Sequence, residues 1–375
     1  MNNKEILLVE GIANFKALKN AFEQGGYALR VVPQNREKIQ EAASEKTGAI
    51  ITLFFNNFIL DLAKNIPHVP IVSWLPDKVN TKAIHIDETL KSRFFVFSFD
   101  PDDVEGFKNI GLQAWELPCN SGFDGLPQPE IVDGDEAKYA CDVSFVGESI
   151  TIKHNPYFQF LLNFSNLNNH LNSVIDKQVS FFTKNNLEEE FEKGDLSKFS
   201  LQFLLDYVHM VNTRHLDFIL GCEASSRLRK RLISLLQGVR VNVIGDDFWK
   251  EIATGTICFI PGESYRQQTP KVYKLSKINL NITRTFFSGT IQRVYDIIYS
   301  GGFCLTDYRD DLNHCFEVGK EIETYSNEKE FVDKVHYYLE HENERKDIME
   351  RGYKRLMKDH RVIDRIKFVL DKINF

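Results

Sequence analysis

KEILLVEG (4–11), NFKALKNAFEQGGY (14–27) and ALRVVP (28–33) follow one another near the start of the chain, and their order decides the fold class. The first is a short apolar run ending in Gly, the second spaces apolar residues as a helix does, and the third is again extended. This is a βαβ unit. The alternation continues through REKIQEAASEK (36–46), GAIITLF (48–54), NNFILDLAKNI (56–66), VPIVSWLPD (69–77), FFVFSFD (94–100), DVEGFKNIG (103–111) and LQAWELP (112–118). Strands separated by helices predict a parallel sheet covered on both faces.

The 375 residues exceed one ordinary core, so two domains are expected. Residues are 43% hydrophobic and 26% charged, with 30 Phe that need a sizeable interior. A net charge of −7 with intermixed signs offers no basic face for a nucleic-acid backbone. Six cysteines lie far apart without CxxC pairs, which reads as buried thiols in a reducing compartment. No run of 18 apolar residues and no secretory leader pattern occurs, so a cytoplasmic location without a transmembrane segment is expected.

CNSGFDGLPQPEIVDGDEAK (119–138), rich in Gly, Pro and acids, reads as a linker. Beyond it, YACDVSFVGE (139–148) and VRVNVIGDDFW (239–249) read as strands. The roughly 90 residues between them far exceed an ordinary crossover, so a helical insertion is expected at about 155–222. In SSRLRKRLISLL (225–236) a Ser at the N-cap starts a helix whose inner face carries Leu228, Leu232, Leu235 and Leu236. GTICFIP (255–261) and VYKLSKINLNI (272–282) read as further strands, and the tail HRVIDRIKFVLDKINF (360–375) as an amphipathic helix.

FSGTIQRVYDIIYSGGFCLTDYRDD (287–311) carries the chemistry. Ser288, Gly289 and Thr290 keep a helix start open, and free N–H groups together with the macrodipole favour a bound phosphate there. Arg293 in the first turn opposes the macrodipole unless an anion is its partner, although an Arg293–Asp296 surface pair would also explain it. Ile291, Val294, Ile297 and Ile298 form the buried stripe, and Gly301 and Gly302 end the helix.

The blocks SKINLNI, SGTIQRVYDIIYSGGFCLTDYRDDL, FEVGKEIETYSNEKEFVDKVHYYLEHENERKDIMERG and His360-x4-Arg365, with DVSFVG and VNVIGDDFW upstream, resemble the spore-maturation CgeB-like glycosyltransferases. The resemblance covers most of 140–366. It implies an α/β GT-B fold, in which two Rossmann-like doubly wound domains face a cleft. These would be an acceptor-side domain at 1–127, a nucleotide-sugar domain at 128–359, and a C-terminal helix at 360–375 packing back on the first.

By resemblance, the second domain would hold a nucleoside-diphosphate sugar as donor, without an obligatory metal. Gly147, Gly245 and Asp246 would lie near the nucleotide, Tyr273 and Lys277 near the base or phosphates, and Gln292 within the phosphate-facing turn. Asp296 stands where many relatives carry a Glu on the ribose. Eight residues earlier, where those enzymes usually have an acid, this chain has Ser288. The basic residue common after the domain's first strand is absent from FVGESI, leaving Arg227, Arg231 or Arg284 as replacements beside Arg293. DYRDD (307–311) reads as the start of a solvated helix rather than as a metal motif. Asp77, ending a strand in SWLPD, is the candidate base, with His85 as a weaker alternative. His209 and His215 are too far out of phase for a metal pair.

The expected activity is sugar transfer to a saccharide, protein or lipid acceptor. A GT-B nucleotide-sugar epimerase and a non-catalytic scaffold remain alternatives, and the insertion could also pair subunits in a homo-oligomer.

Overall fold

The computed structural model describes residues 4–11, 15–79, 81, 84–153, 159, 165–192 and 216–375. The chain divides into two compact units, one formed by residues 1–127, 289–299 and 354–375, the other by 128–288 and 300–353.

The first unit holds six parallel strands: β1 (Glu5–Val9), β2 (Leu29–Val32), β3 (Thr47–Thr52), β4 (Ile71–Leu75), β5 (Phe94–Ser98) and β6 (Gln113–Glu116). Their order is β2-β1-β3-β4-β5-β6. Strand β3 is buried along its whole length, as expected of a central parallel strand covered on both faces. One face packs Leu7, Ile50, Ile71, Val96 and Phe107. The other packs Leu8, Ile51, Val72 and Phe97 against Val362, Ile366, Val369 and Leu370 of the helix Val362–Lys372. The apolar stripe of the tail thus has its cover within this unit.

In the second unit the strands β7 (Cys141–Val146), β8 (Val241–Gly245), β9 (Ile257–Pro261), β10 (Ser276–Asn281), β11 (Cys304–Asp307) and β12 (Glu323–Tyr325) run parallel in the order β12-β11-β10-β7-β8-β9. Strand order reverses between β7 and β10. Among the described residues, the long connection after β7 contributes the helices Ser165–Ser180 and Leu187–Glu192. His209 and His215 lie outside the described residues.

Several local expectations need correction. Residues 272–275 are the end of a helix, Thr269–Leu275, rather than strand, because Pro270 opens a helical turn that closes only at Ser276. No helix starts at Ser225 or Ser226. One helix runs from Leu216 to Ser234, and Ser225 Oγ donates back to the Gly221 carbonyl inside it. The stretch 119–124 is no exposed linker, since Asn120, Ser121, Phe123 and Asp124 are all buried. Not all the cysteines are buried either: Cys258 is exposed and Cys119 half-buried. Among the described residues no helix is long and apolar enough to cross a membrane.

Candidate functional site

In parallel α/β sheets ligands sit outside the carboxyl ends of the strands, so the site is sought at that edge of each unit.

In the second unit, the edge is built around the strand-order switch between β7 and β10. Arg229 is buried there. Its Nη1 donates to the Glu148 carbonyl beyond β7 (2.8 Å), its Nη2 to the Ile282 carbonyl beyond β10 (3.0 Å), and its guanidinium lies 5.4 Å from the centroid of the Phe145 ring. The sequence points to its neighbours Arg227 and Arg231 instead. Arg227 pairs with Glu223 and Asp176 and donates to Asn172, while Arg231, half exposed, pairs with Glu328. The buried face of this helix carries Leu228, Arg229, Leu232 and Ile233, and of the two leucines just beyond its end Leu236 is buried and Leu235 exposed. That face is turned by one residue from the leucine stripe and so brings Arg229 inward.

Gly147, Gly245 and Asp246 converge at the ends of β7 and β8, and their geometry is structural. A Cβ on Gly245 would lie 2.3 Å from the Gly147 carbonyl oxygen, which accepts from Trp249 Nε1 at 2.8 Å. Asp246 caps the short 3-10 helix Asp247–Ile252 through the Phe248 N–H, while its other oxygen accepts from the Ser149 N–H and hydroxyl. Both carboxylate oxygens are therefore engaged.

Two expected nucleotide contacts are placed elsewhere. Tyr273 is buried inside its helix. Lys277 pairs with Asp142 at 2.7 Å at the amino ends of β10 and β7, the edge opposite to the carboxyl ends. Arg284 is half-buried just beyond β10, with its guanidinium 5.5 Å from the Phe287 ring. DYRDD is not solvated at its start: Asp307 is buried, accepts from the Thr283 N–H and hydroxyl, and pairs with the equally buried Arg309 at 2.9 Å.

The helix Gln292–Tyr299 belongs to the first unit, whereas the sequence places it in the second domain. Its buried face is wider than the predicted stripe and includes Tyr295 and Asp296. Asp296, read as a ribose ligand, is only 2% exposed, and its partners are protein groups. Oδ1 accepts from Ser121 Oγ and the Gly122 N–H, both at 2.8 Å, and Oδ2 accepts from Gln292 Nε2 at 3.2 Å. The Gly125 N–H also donates to Tyr299 Oη at 3.2 Å. The helix is thereby stapled to the 120–125 segment, which Asp124 in turn ties to Arg361 and the Val362 N–H. Replacing Asp296 by Ala leaves a buried N–H and hydroxyl without their charged acceptor. We expect a loss of about 3 kcal/mol in denaturant unfolding, and a smaller loss for Asp296→Asn.

Ahead of that helix, Gly289 presses against the loop after β5. A Cβ there would lie 2.0 Å from the Phe99 carbonyl oxygen, so only Gly fits. Ser288 and Arg293 are half-buried and Thr290 is buried.

The same edge of the first unit holds a charged cluster and a pocket. Asp77 is exposed just after β4, with Oδ1 accepting the Lys78 N–H at 3.0 Å. Lys78 Nζ reaches Asp100 at 3.4 Å and Asp102 at 3.2 Å. Burial opposes its charge, but Asp100, Asp102 and Asp103 outweigh it and hold the ammonium pKa above the usual lysine value. Asp103 is buried and accepts from the Val79 N–H and Ser98 Oγ. Burial, reinforced by Asp100, pushes its carboxyl up to about 7 against the opposing influence of Lys78 and the two hydrogen bonds. His85 is exposed, and the nearby Asp87 caps the helix Glu88–Lys91. The pocket is walled by Trp74, Pro76, Phe99 and Leu117, with Asn120 and Gln292 as polar lining.

Residues 225–371 match the model of a family described as Glycosyl transferase-like. An uncharacterized protein of Aquifex aeolicus (strain VF5) is 26% identical over 163 residues, 42% of this chain and 40% of that protein. The alignment thus spans less than half the length of that relative. Among solved structures, HepE of Anabaena in complex with UDP and glucose superimposes with a TM-score of 0.55 at 9% identity, covering 99% of each chain. Sucrose-phosphate synthase from Thermosynechococcus elongatus gives 0.56 at 8% identity over 98% of this chain and 97% of that one. A glycosyltransferase from Rickettsia africae gives 0.56 at 7% over 100% and 98%. At such identities the likeness concerns the fold, which is GT-B, with two Rossmann-like parallel-sheet domains.

Proposed function

We propose that this protein is a glycosyltransferase of the CgeB-like kind that moves a sugar from a nucleoside diphosphate to an acceptor hydroxyl. One observation carries the reading. The 225–371 match to a Glycosyl transferase-like family spans five of the six strands of the second sheet together with the helix Gln292–Tyr299, within a chain of GT-B fold.

In this reading the leaving diphosphate is supported by the N–H groups that open the helix after Ser288, Gly289 and Thr290, and by Arg293. Arg284 supplies further positive charge. Arg229, held by two carbonyls, shapes the switch point rather than binding phosphate. Asp77, exposed at the carboxyl end of β4, accepts the acceptor's proton. No metal ion has a part in this scheme. HepE was solved with UDP-glucose, which makes UDP the first nucleotide to try here.

The test is thermal and denaturant unfolding of wild type and Arg293→Ala with UDP, GDP, CMP and dTDP and their sugars. A nucleotide at a hundredfold excess over its dissociation constant is expected to stabilise the wild type by about 2.7 kcal/mol and to lose most of that effect in the variant. No stabilisation by any nucleotide would overturn the reading.

A further inference from the structure

The loop after β4 carries Asp77 and is fastened to one short turn. Lys78 Nζ reaches Asp100 Oδ1 at 3.4 Å and Asp102 Oδ2 at 3.2 Å. The Val79 N–H donates to Asp103 Oδ2 at 3.0 Å, and the same oxygen accepts from Ser98 Oγ at 3.3 Å. Farther along, a Cβ on Gly106 would lie 2.2 Å from Thr81 Oγ1, so the loop reaches the helix Pro101–Asn109 only because no side chain intervenes. The same turn also meets the chain ahead of the helix Gln292–Tyr299. A Cβ on Gly289 would lie 2.0 Å from the Phe99 carbonyl oxygen and 3.2 Å from Asp100 Cα. Residues 98–103 thus touch both the loop with the proposed base and the entry to the helix proposed for the leaving diphosphate.

We infer that Asp103 is a positioning residue for sugar transfer: its ionised carboxylate holds the Val79 N–H and, with Asp100 and Asp102, the Lys78 ammonium, and so sets where the Asp77 carboxylate stands. The inference rests on the transferase reading above, with Asp77 as the base. Asp103 is only 2% exposed and acts through the loop. Asp77 Oδ1 accepts the Lys78 N–H, so the backbone that Asp103 fastens also orients the acid. A base displaced by a fraction of an ångström loses rate without losing bound donor.

The ionised carboxylate is the stronger acceptor and attracts Lys78, whereas the protonated form does less of both. Burial and the neighbouring Asp100 push this carboxyl up to about 7, against Lys78, the Val79 N–H and Ser98 Oγ. The anchor therefore tightens as pH rises through about 7.

The test follows hydrogen exchange of the Val79 amide, corrected for its intrinsic rate, between pH 5.5 and 8.5. Wild type is compared with Asp103→Asn and Lys78→Gln, each shown to be folded by circular dichroism. Over the same range, nucleotide release is measured from UDP-, GDP- and dTDP-glucose with water as the acceptor. In wild type, Val79 protection and kcat are both expected to rise about tenfold across pH 7. In Asp103→Asn both stay near their low-pH values, while KM for the donor is unchanged. In Lys78→Gln both steps move to higher pH, because the cation that favours the ionised form is gone. A role in packing alone would not move them. Equal Val79 protection in wild type and Asp103→Asn, or one kcat profile common to both, would overturn the inference. If Val79 behaves as expected but no nucleotide sugar is turned over, the transferase reading falls, and the catalytic role of the anchor falls with it.

Discussion

Asp77→Asn is expected to lower turnover by about a thousandfold while leaving nucleotide binding intact. General-base contributions commonly fall between about 10² and 10⁴, and an amide cannot accept the acceptor's proton. The carboxylate is exposed and touches the protein through the Lys78 N–H, so the substitution removes little packing. A nucleotide-induced thermal shift equal to wild type, measured beside a release assay for the nucleoside diphosphate, separates chemistry from binding. Turnover within a few-fold of wild type would remove Asp77 as the base. His85 would then be the next group to replace.

Asp103 is expected to impose a slope on stability against pH. Its folded-state pKa, about 7, lies above the usual aspartate value of 3.8, so the native protein holds its proton more tightly than the unfolded chain does. The stabilising contribution is complete below about pH 4 and is lost as pH rises through about 7, amounting to at most about 4 kcal/mol. The groups facing it explain the sign. Asp100 repels the ionised form, while Lys78, the Val79 N–H and Ser98 Oγ offset only part of the burial cost. Urea unfolding of wild type and Asp103→Asn between pH 4.5 and 8 should give curves that diverge with falling pH, wild type gaining relative to the variant. Parallel curves would mean that Asp103 is ionised throughout.

Much of the fold could be read from local pattern. The apolar runs ending at Val9, Thr52, Leu75 and Ser98 are strands because each is buried on both faces of a parallel sheet. The helix Gln292–Tyr299 was also legible, but its packing was not. Asp296 meets Ser121 across 175 positions of sequence, and no local pattern encodes such a partner. Gly, Pro and acids between 119 and 138 suggested a linker, yet Asn120, Ser121 and Asp124 are anchors whose value appears only when the helices 292–299 and 362–372 arrive beside them. Arg229 is hidden in the sequence for a different reason. A leucine stripe defines a helix face to within about one residue, and that margin is enough to exchange the buried Arg229 for Arg227 or Arg231.

The first unit is assembled from three separate stretches of chain, and its second hydrophobic face is closed by Val362, Ile366, Val369 and Leu370. During synthesis on a ribosome, the amino-terminal sheet therefore leaves the exit tunnel long before the helix that covers it. Domains usually fold in the order in which they are made. Here residues 354–375 complete the unit begun by residues 1–127, so the open apolar face of residues 1–127 must wait, exposed to other chains, until the intervening domain has been made.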